Sequence, residues 1–176
     1  MYLEEIYLEL GNRLLSNNTK QLLEQMGLPP IAHVDLYEGQ YLSEEKEEVY
    51  HLPAVFIEFS NTTSSKIKGN GVQQNTETIR LHIEQAKLES TAMNRANQTK
   101  ALLPLRMVDA IHILMSGGFL GLYPVGRELD TEHNGYPVHI LEYEGIFKNT
   151  DTSKFKEHQE TKIERVKIDK SVKYRL

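Results

Sequence analysis

The sequence predicts an α+β fold, an antiparallel or mixed sheet of about four to five strands with two main helices on one face, followed by an extended C-terminal arm. Three observations predict it. Apolar residues recur at helical spacing in two separated stretches, and they alternate or run continuously at strand length in several others. The order of these stretches is helix, strands, helix, paired strands rather than a strand–helix relay. A chain of 176 residues fits one domain plus an appendage, expected here as a body over 1–150 and an arm over 151–176.

In the first element, Leu3, Ile6, Tyr7, Leu10 and Leu14 recur at three- and four-residue spacing and define one apolar helix face. Ser16-Asn17-Asn18 is a candidate interruption, after which Leu22, Leu23 and Met26 continue the pattern to a stop at Gly27 and Pro29-Pro30. Residues 31–41 are β-prone, and the charged run Glu44–Glu48 reads as a solvated loop. Leu52–Phe59 is a nearly continuous apolar run that suits a central strand, with Pro53 acceptable only near its start. Ser60–Asn75 is polar, contains Gly69-Asn70-Gly71, and reads as an extended hairpin or a loop. Thr76–Glu84 alternates, with Ile79, Leu81 and Ile83 on a core side and Thr78, Arg80, His82 and Glu84 on a wet one. A second amphipathic helix is marked by Ala101, Leu102, Leu105, Val108, Ile111, His112 and Met115, with Pro104 in its first turn and Gly117-Gly118 at its end. Strands around Leu120–Leu129 and Tyr136–Phe147 flank the turn-rich Asp130–Gly135 and are expected to pair as a hairpin.

Beyond Thr150, a polar bridge leads to an alternating segment. Val166, Ile168, Val172 and Tyr174 fall on one side, and Arg165, Lys167, Asp169, Lys173 and Arg175 on the other. Such a pattern needs a sheet edge or a groove. The bridge of about ten residues allows either a fold-back or, as expected here, docking on a neighbour by strand addition. The net charge of the chain is -5. Lys162–Leu176 holds six basic residues and two acids, a net +4, which leaves -9 for the rest. An acidic body with a basic arm favours self-association or docking and disfavours general nucleic-acid binding. The assembly interface is accordingly expected at Arg165, Val166, Lys167, Ile168, Lys170, Val172, Lys173, Tyr174 and Arg175.

Hydrophobic residues make up 39% and charged residues 26% of the chain, with a mean hydropathy of -0.48. No run approaches the roughly 18 apolar residues of a membrane span, and the N-terminus carries acids where a secretory leader carries Lys or Arg. Cysteine is absent, which removes disulfides, thiolate metal sites and cysteine nucleophiles. No P-loop, dinucleotide fingerprint, Gly-x-Ser-x-Gly elbow or His-Glu-x-x-His pair occurs. The densest set of possible ligands is Asp130, Glu132 and His133, with His139 or His82 from neighbouring strands; a hairpin turn with a solvated His133 explains the same residues. His112 is expected as a hydrogen-bonded core histidine, and Arg80, His82 and Glu84 as part of a cross-strand network. Tyr37, Tyr41 and Tyr50 are candidates for burial at an interface or for half-buried strand positions. The expectation is no catalytic residue, no cofactor and no metal.

The N-terminal helix, the LPAVFIEF and ETIRLHIE strands, the ALLPLRMVDAIHILM helix and the GRELDTEHNGYPVHILEYEGIF hairpin together resemble the tailed-phage tail terminator and head-tail joining proteins. The resemblance covers Met1–Asn149 and is most specific at Gly126-Arg127-Glu128, Asp130, Glu132-His133 and the strand carrying Tyr143, with Arg127, Asp130 and His133 as the characteristic turn. It implies a non-catalytic protomer that forms a ring at the neck or tail joint of a virion assembled in the bacterial host cytoplasm. Its partners would be copies of itself and the adjacent portal, connector and tail proteins, with DNA passing through unbound and no membrane involved. The segment after Thr150 and the polar Ser60–Asn75 stretch depart from the pattern; a longer arm suits a neck of stacked rings. The alternatives are a non-viral cytosolic adaptor and a small metal-dependent hydrolase using Asp130, Glu132 and His133.

Overall fold

A computed structural model of the chain describes residues 3–42, 50–66, 73–86, 98–116, 118–131 and 138–149. The fold is α+β. Helices α1 (Leu3–Leu15) and α2 (Asn17–Gln25) precede β1 (His33–Leu36), β2 (Ala54–Lys66) and β3 (Gln73–Glu84). A short α3 (Gln98–Ala101), the helix α4 (Leu103–Met115) and a 3₁₀ turn (Phe119–Gly121) lead to β4 (Tyr123–Asp130) and β5 (Val138–Asn149). The five strands form one mixed sheet in the order β1-β2-β3-β5-β4, with β1 parallel to β2 and every other pair antiparallel.

The first helical stretch breaks where its sequence stops supplying apolar residues. Ser16 adopts an extended conformation and its Oγ accepts from the Thr19 amide at 3.1 Å, so it caps α2. The buried Thr19 hydroxyl returns a bond to the Arg13 carbonyl at 2.6 Å. At the far end, Gly27 has φ +68, a left-handed conformation that glycine adopts without a Cβ clash. Leu28 N–H reaches the Leu23 carbonyl and Gly27 N–H the Glu24 carbonyl, the paired bonds of a Schellman cap. Leu23 and Leu28 are both buried beneath it. Arg13 ties this pair of helices to α4, donating to the Leu114 carbonyl at 3.3 Å while its guanidinium lies 5.2 Å from the Phe119 ring centre.

The main core lies between the helices and the inner face of the sheet. Ile6, Leu10, Leu14 and Leu23 meet Val55, Ile57, Ile79, Leu81, Ile83, Leu141 and Tyr143, with Met107, Val108, Ala110, Ile111, Leu114 and Met115 of α4. Pro104 sits at the second position of α4, where its missing amide costs nothing. Leu105 does not join the core as its spacing suggested; it is exposed, and Met107, Ala110 and Leu114 occupy the buried side instead. Under the 3₁₀ turn, a Cβ on Gly145 would fall 2.7 Å from Leu122 and 2.8 Å from the Phe147 ring, so glycine is demanded there by close packing.

The outer face of the sheet is not simply wet. A second, smaller core of Tyr41, Ala54, Phe56, Val138 and Ile140 is closed by Tyr37, Tyr50 and Leu52. His82 and Glu84, expected on a solvated side, are buried beneath this cover. Of the β-prone stretch 31–41 only His33–Leu36 is a strand, because the chain then turns through Gly39 (φ +83) to fold Tyr37 and Tyr41 over the sheet. The hairpin over Ser60–Asn75 is realised as continuous strand on both sides, with residues 67–72 outside the described set. Two strands carry one extra residue each, Ser60 in β2 and Val125 in β4, where the register shifts. The Glu44–Glu48 loop, the turn over 132–137 and the whole arm over 150–176 also lie outside the described residues.

Candidate assembly surface

Two surfaces collect the residues singled out by sequence. On the outer face, Arg80 projects from β3 among three carboxylates. Its Nε donates to Glu142 at 2.9 Å, one terminal nitrogen reaches Glu128 at 3.3 Å, and the other lies 3.8 Å from Glu58. The hydrogen bond to Glu142 raises the guanidinium pKa further above its ordinary value against the opposing effect of burial. Three acids around one arginine leave this face negative, which is the expected cross-strand network with a surplus of acid.

Beside it runs a hydroxyl–imidazole–carboxylate chain. Tyr41 Oη lies 2.6 Å from His82 Nδ1, and His82 Nε2 lies 2.8 Å from Glu58. Burial pulls the His82 pKa down despite Glu58, so the neutral ring accepts from Tyr41 and donates to Glu58. Tyr37 stacks on the same ring at 4.0 Å. The order of groups resembles a nucleophile relay, but burial pushes the Tyr41 pKa up, away from the phenolate, and the hydroxyl is enclosed. Tyr50 donates to Glu84, and burial first, then that carboxylate, raises its pKa too. Tyr37, Tyr41 and Tyr50 therefore pack onto their own sheet.

The two described histidines of the proposed metal set lie on opposite faces of the sheet. Asp130 stands opposite Val138 at the end of β4, and His139, one residue on, is carried to the inner face, while His82 is committed to Tyr41 and Glu58 on the outer one. Strand period two is the cause. Burial, then Arg127, lowers the His139 pKa. Glu132 and His133 fall outside the described residues. Among the described residues, no three His, Asp or Glu side chains converge as they would around a metal ion. His112 is a half-buried hydrogen-bonded histidine as expected, with Nδ1 3.1 Å from Tyr143 Oη.

The second surface is β4 and the helix beside it. Every residue from Tyr123 to Leu129 is exposed, and among the described residues nothing pairs with the outer edge of this strand. Arg127 points to the inner side, where it meets Asp109 of α4 at 3.5 Å. Asp109 lies in the exposed stripe Leu105–Asp109–Ile113 at four-residue spacing, so that stripe borders β4. Leu105, Ile113, Val125 and Leu129 are between 42% and 55% exposed. An open groove of about 280 Å³ separates the two elements, floored by Val108, His112 and Leu141. Of the characteristic turn, Arg127 and Asp130 belong to β4 but face opposite sides of the sheet.

Comparison with protein-family models finds none that matches the chain, and comparison with curated proteins finds no significant relative. Among the described residues, no helix is long and apolar enough to cross a membrane.

Proposed function

We propose that the chain is a structural subunit of a phage virion, forming a ring at the neck or tail joint through which DNA passes without being held. The observation that carries this reading is β4, an eight-residue strand that stands last in the sheet order, with no strand on its outer edge among the described residues and with Pro124 and the bulge at Val125 blunting only its first part. Unpaired main-chain groups along such an edge are a template for pairing with another chain. A contact between this edge and a different surface of the next copy is heterologous, and such contacts close into a ring when the rotation permits. The acidic body, -9 outside Lys162–Leu176, suits a channel, because it repels phosphate that a basic lining would trap. His82, one of the possible metal ligands, is instead held between Tyr41 and Glu58.

Light scattering on the purified full chain, followed by electron microscopy, tests the reading. The expected result is a closed ring whose mass is an integral multiple of the protomer. A protein that stays monomeric across concentrations, and forms no ring with portal or tail proteins encoded beside it, would remove the proposal.

A further inference from the structure

Resting on the ring reading, we propose that the outer edge of β4 is the seat of the C-terminal arm of a neighbouring copy, with residues 165–175 adding as a sixth strand. The two sides of β4 differ in chemistry, and the arm differs in the same way. On the inner side lie the apolar Val125 and Leu129 with Arg127 between them, across an open groove from Val108, Asp109 and His112 of α4. On the outer side, Glu128 and Glu142 of β5 share one arginine, Arg80, and Glu144 stands opposite Tyr123 at the start of β4. An arm strand laid along this edge directs alternate residues to the two sides. Val166, Ile168, Val172 and Tyr174 then cover the apolar rim, while Arg165, Lys167, Lys173 and Arg175, which outnumber the one acid of that side, Asp169, meet the glutamates. The single cation of the apolar side, Lys170, has the exposed Asp109 to meet.

Only part of the arm can pair along this edge. Pro124 and the extra residue Val125 interrupt the first part of β4, and Gly126–Asp130 continues in regular register. The connection is long enough to reach a neighbour. β5 ends at Asn149, on the end of the sheet where β4 begins. Reaching the free edge of its own β4 would mean crossing two strand spacings, about 10 Å, and running back along the stretch Gly145–Asn149 by which β5 extends past Tyr123. Residues 150–164 extend to roughly 50 Å at about 3.3 Å each, more than the width of a body this size, about 40 Å.

The absence of native cysteine makes disulfide trapping clean. Full-length Glu128→Cys is mixed with full-length Arg165→Cys, Lys167→Cys or Lys173→Cys, oxidised, and run without reductant, while the mass of each sample is read by light scattering. The expected result is a disulfide-linked dimer in a mixed sample that exceeds either variant alone by tenfold or more and falls with added salt. A ring that forms with no mixed disulfide overturns the arm's seat and leaves the ring reading standing. A mixed disulfide in a non-cyclic dimer supports the seat and overturns the ring. Glu128→Cys linking to itself would show two β4 edges paired and overturn the arm. An internal disulfide in the double variant, without the mixed one, would show a fold-back and overturn the neighbour.

Discussion

At Gly145 the added Cβ of an alanine would sit well inside contact distance of Leu122 and the Phe147 ring. Overpacking of this kind costs about 1–3 kcal/mol, so Gly145→Ala should lower the unfolding free energy by that amount, read as a lower urea midpoint with little change in slope. His82 sets a second expectation at this scale. Its folded pKa is held below the ordinary value of about 6.5 by burial, against the pull of Glu58 and with Tyr37, Tyr41 and Arg80 around it. The unfolded chain therefore binds more protons than the native one between the two pKa values, and stability rises with pH across that window. Stability should be full above about pH 6.5 and fall as the pH drops toward the folded value; His139 has the same sign. Urea midpoints from pH 7 to pH 5 check this against His82→Gln, in which the dependence should flatten; an unchanged slope would show that His82 is not the source.

Among the elements, the break between α1 and α2 rests on one side chain. Ser16→Ala removes the acceptor for the Thr19 amide and should cost about 1 kcal/mol, read from thermal or urea unfolding, with Ser16→Asp close to wild type. The elements themselves were legible wherever periodicity was strong. The α1 face, the Leu52–Phe59 run, the alternation of Thr76–Glu84 and the cap at Gly27 all reappear in the structure because local geometry fixes them. What was not legible depends on partners distant along the chain. Tyr37, Tyr41 and Tyr50 cover Phe56, His82 and Glu84 through contacts that no window of sequence contains. The extra residues Ser60 and Val125 appear only once strands are in register. Leu105 was assigned to the core because its spacing also fits the buried face, and only the position of β4 exposes it. The hydroxyl–imidazole–carboxylate chain had no local motif at all.

For the molecule as a whole, the division between an acidic body and a basic arm predicts separable stability and assembly. Every core contact described lies before Asn149, so a chain ending there should unfold at the wild-type temperature. Its assembled mass should nevertheless fall, and a truncated protein that still forms the full ring would refute the arm's role. The extra residue in β2 has a consequence for how the family of such chains could vary in length. On either side of Ser60 the ladder is regular, with Phe59 opposite Ile79 and Asn61 opposite Thr78. Removing any other residue of β2 would turn half the strand over and carry buried side chains to the wrong side. Removing Ser60 would join two stretches already in phase, keeping Ile57 in the core and Thr62 on Glu77. In that strand, Ser60 is the one position where the chain can change its length and keep its faces.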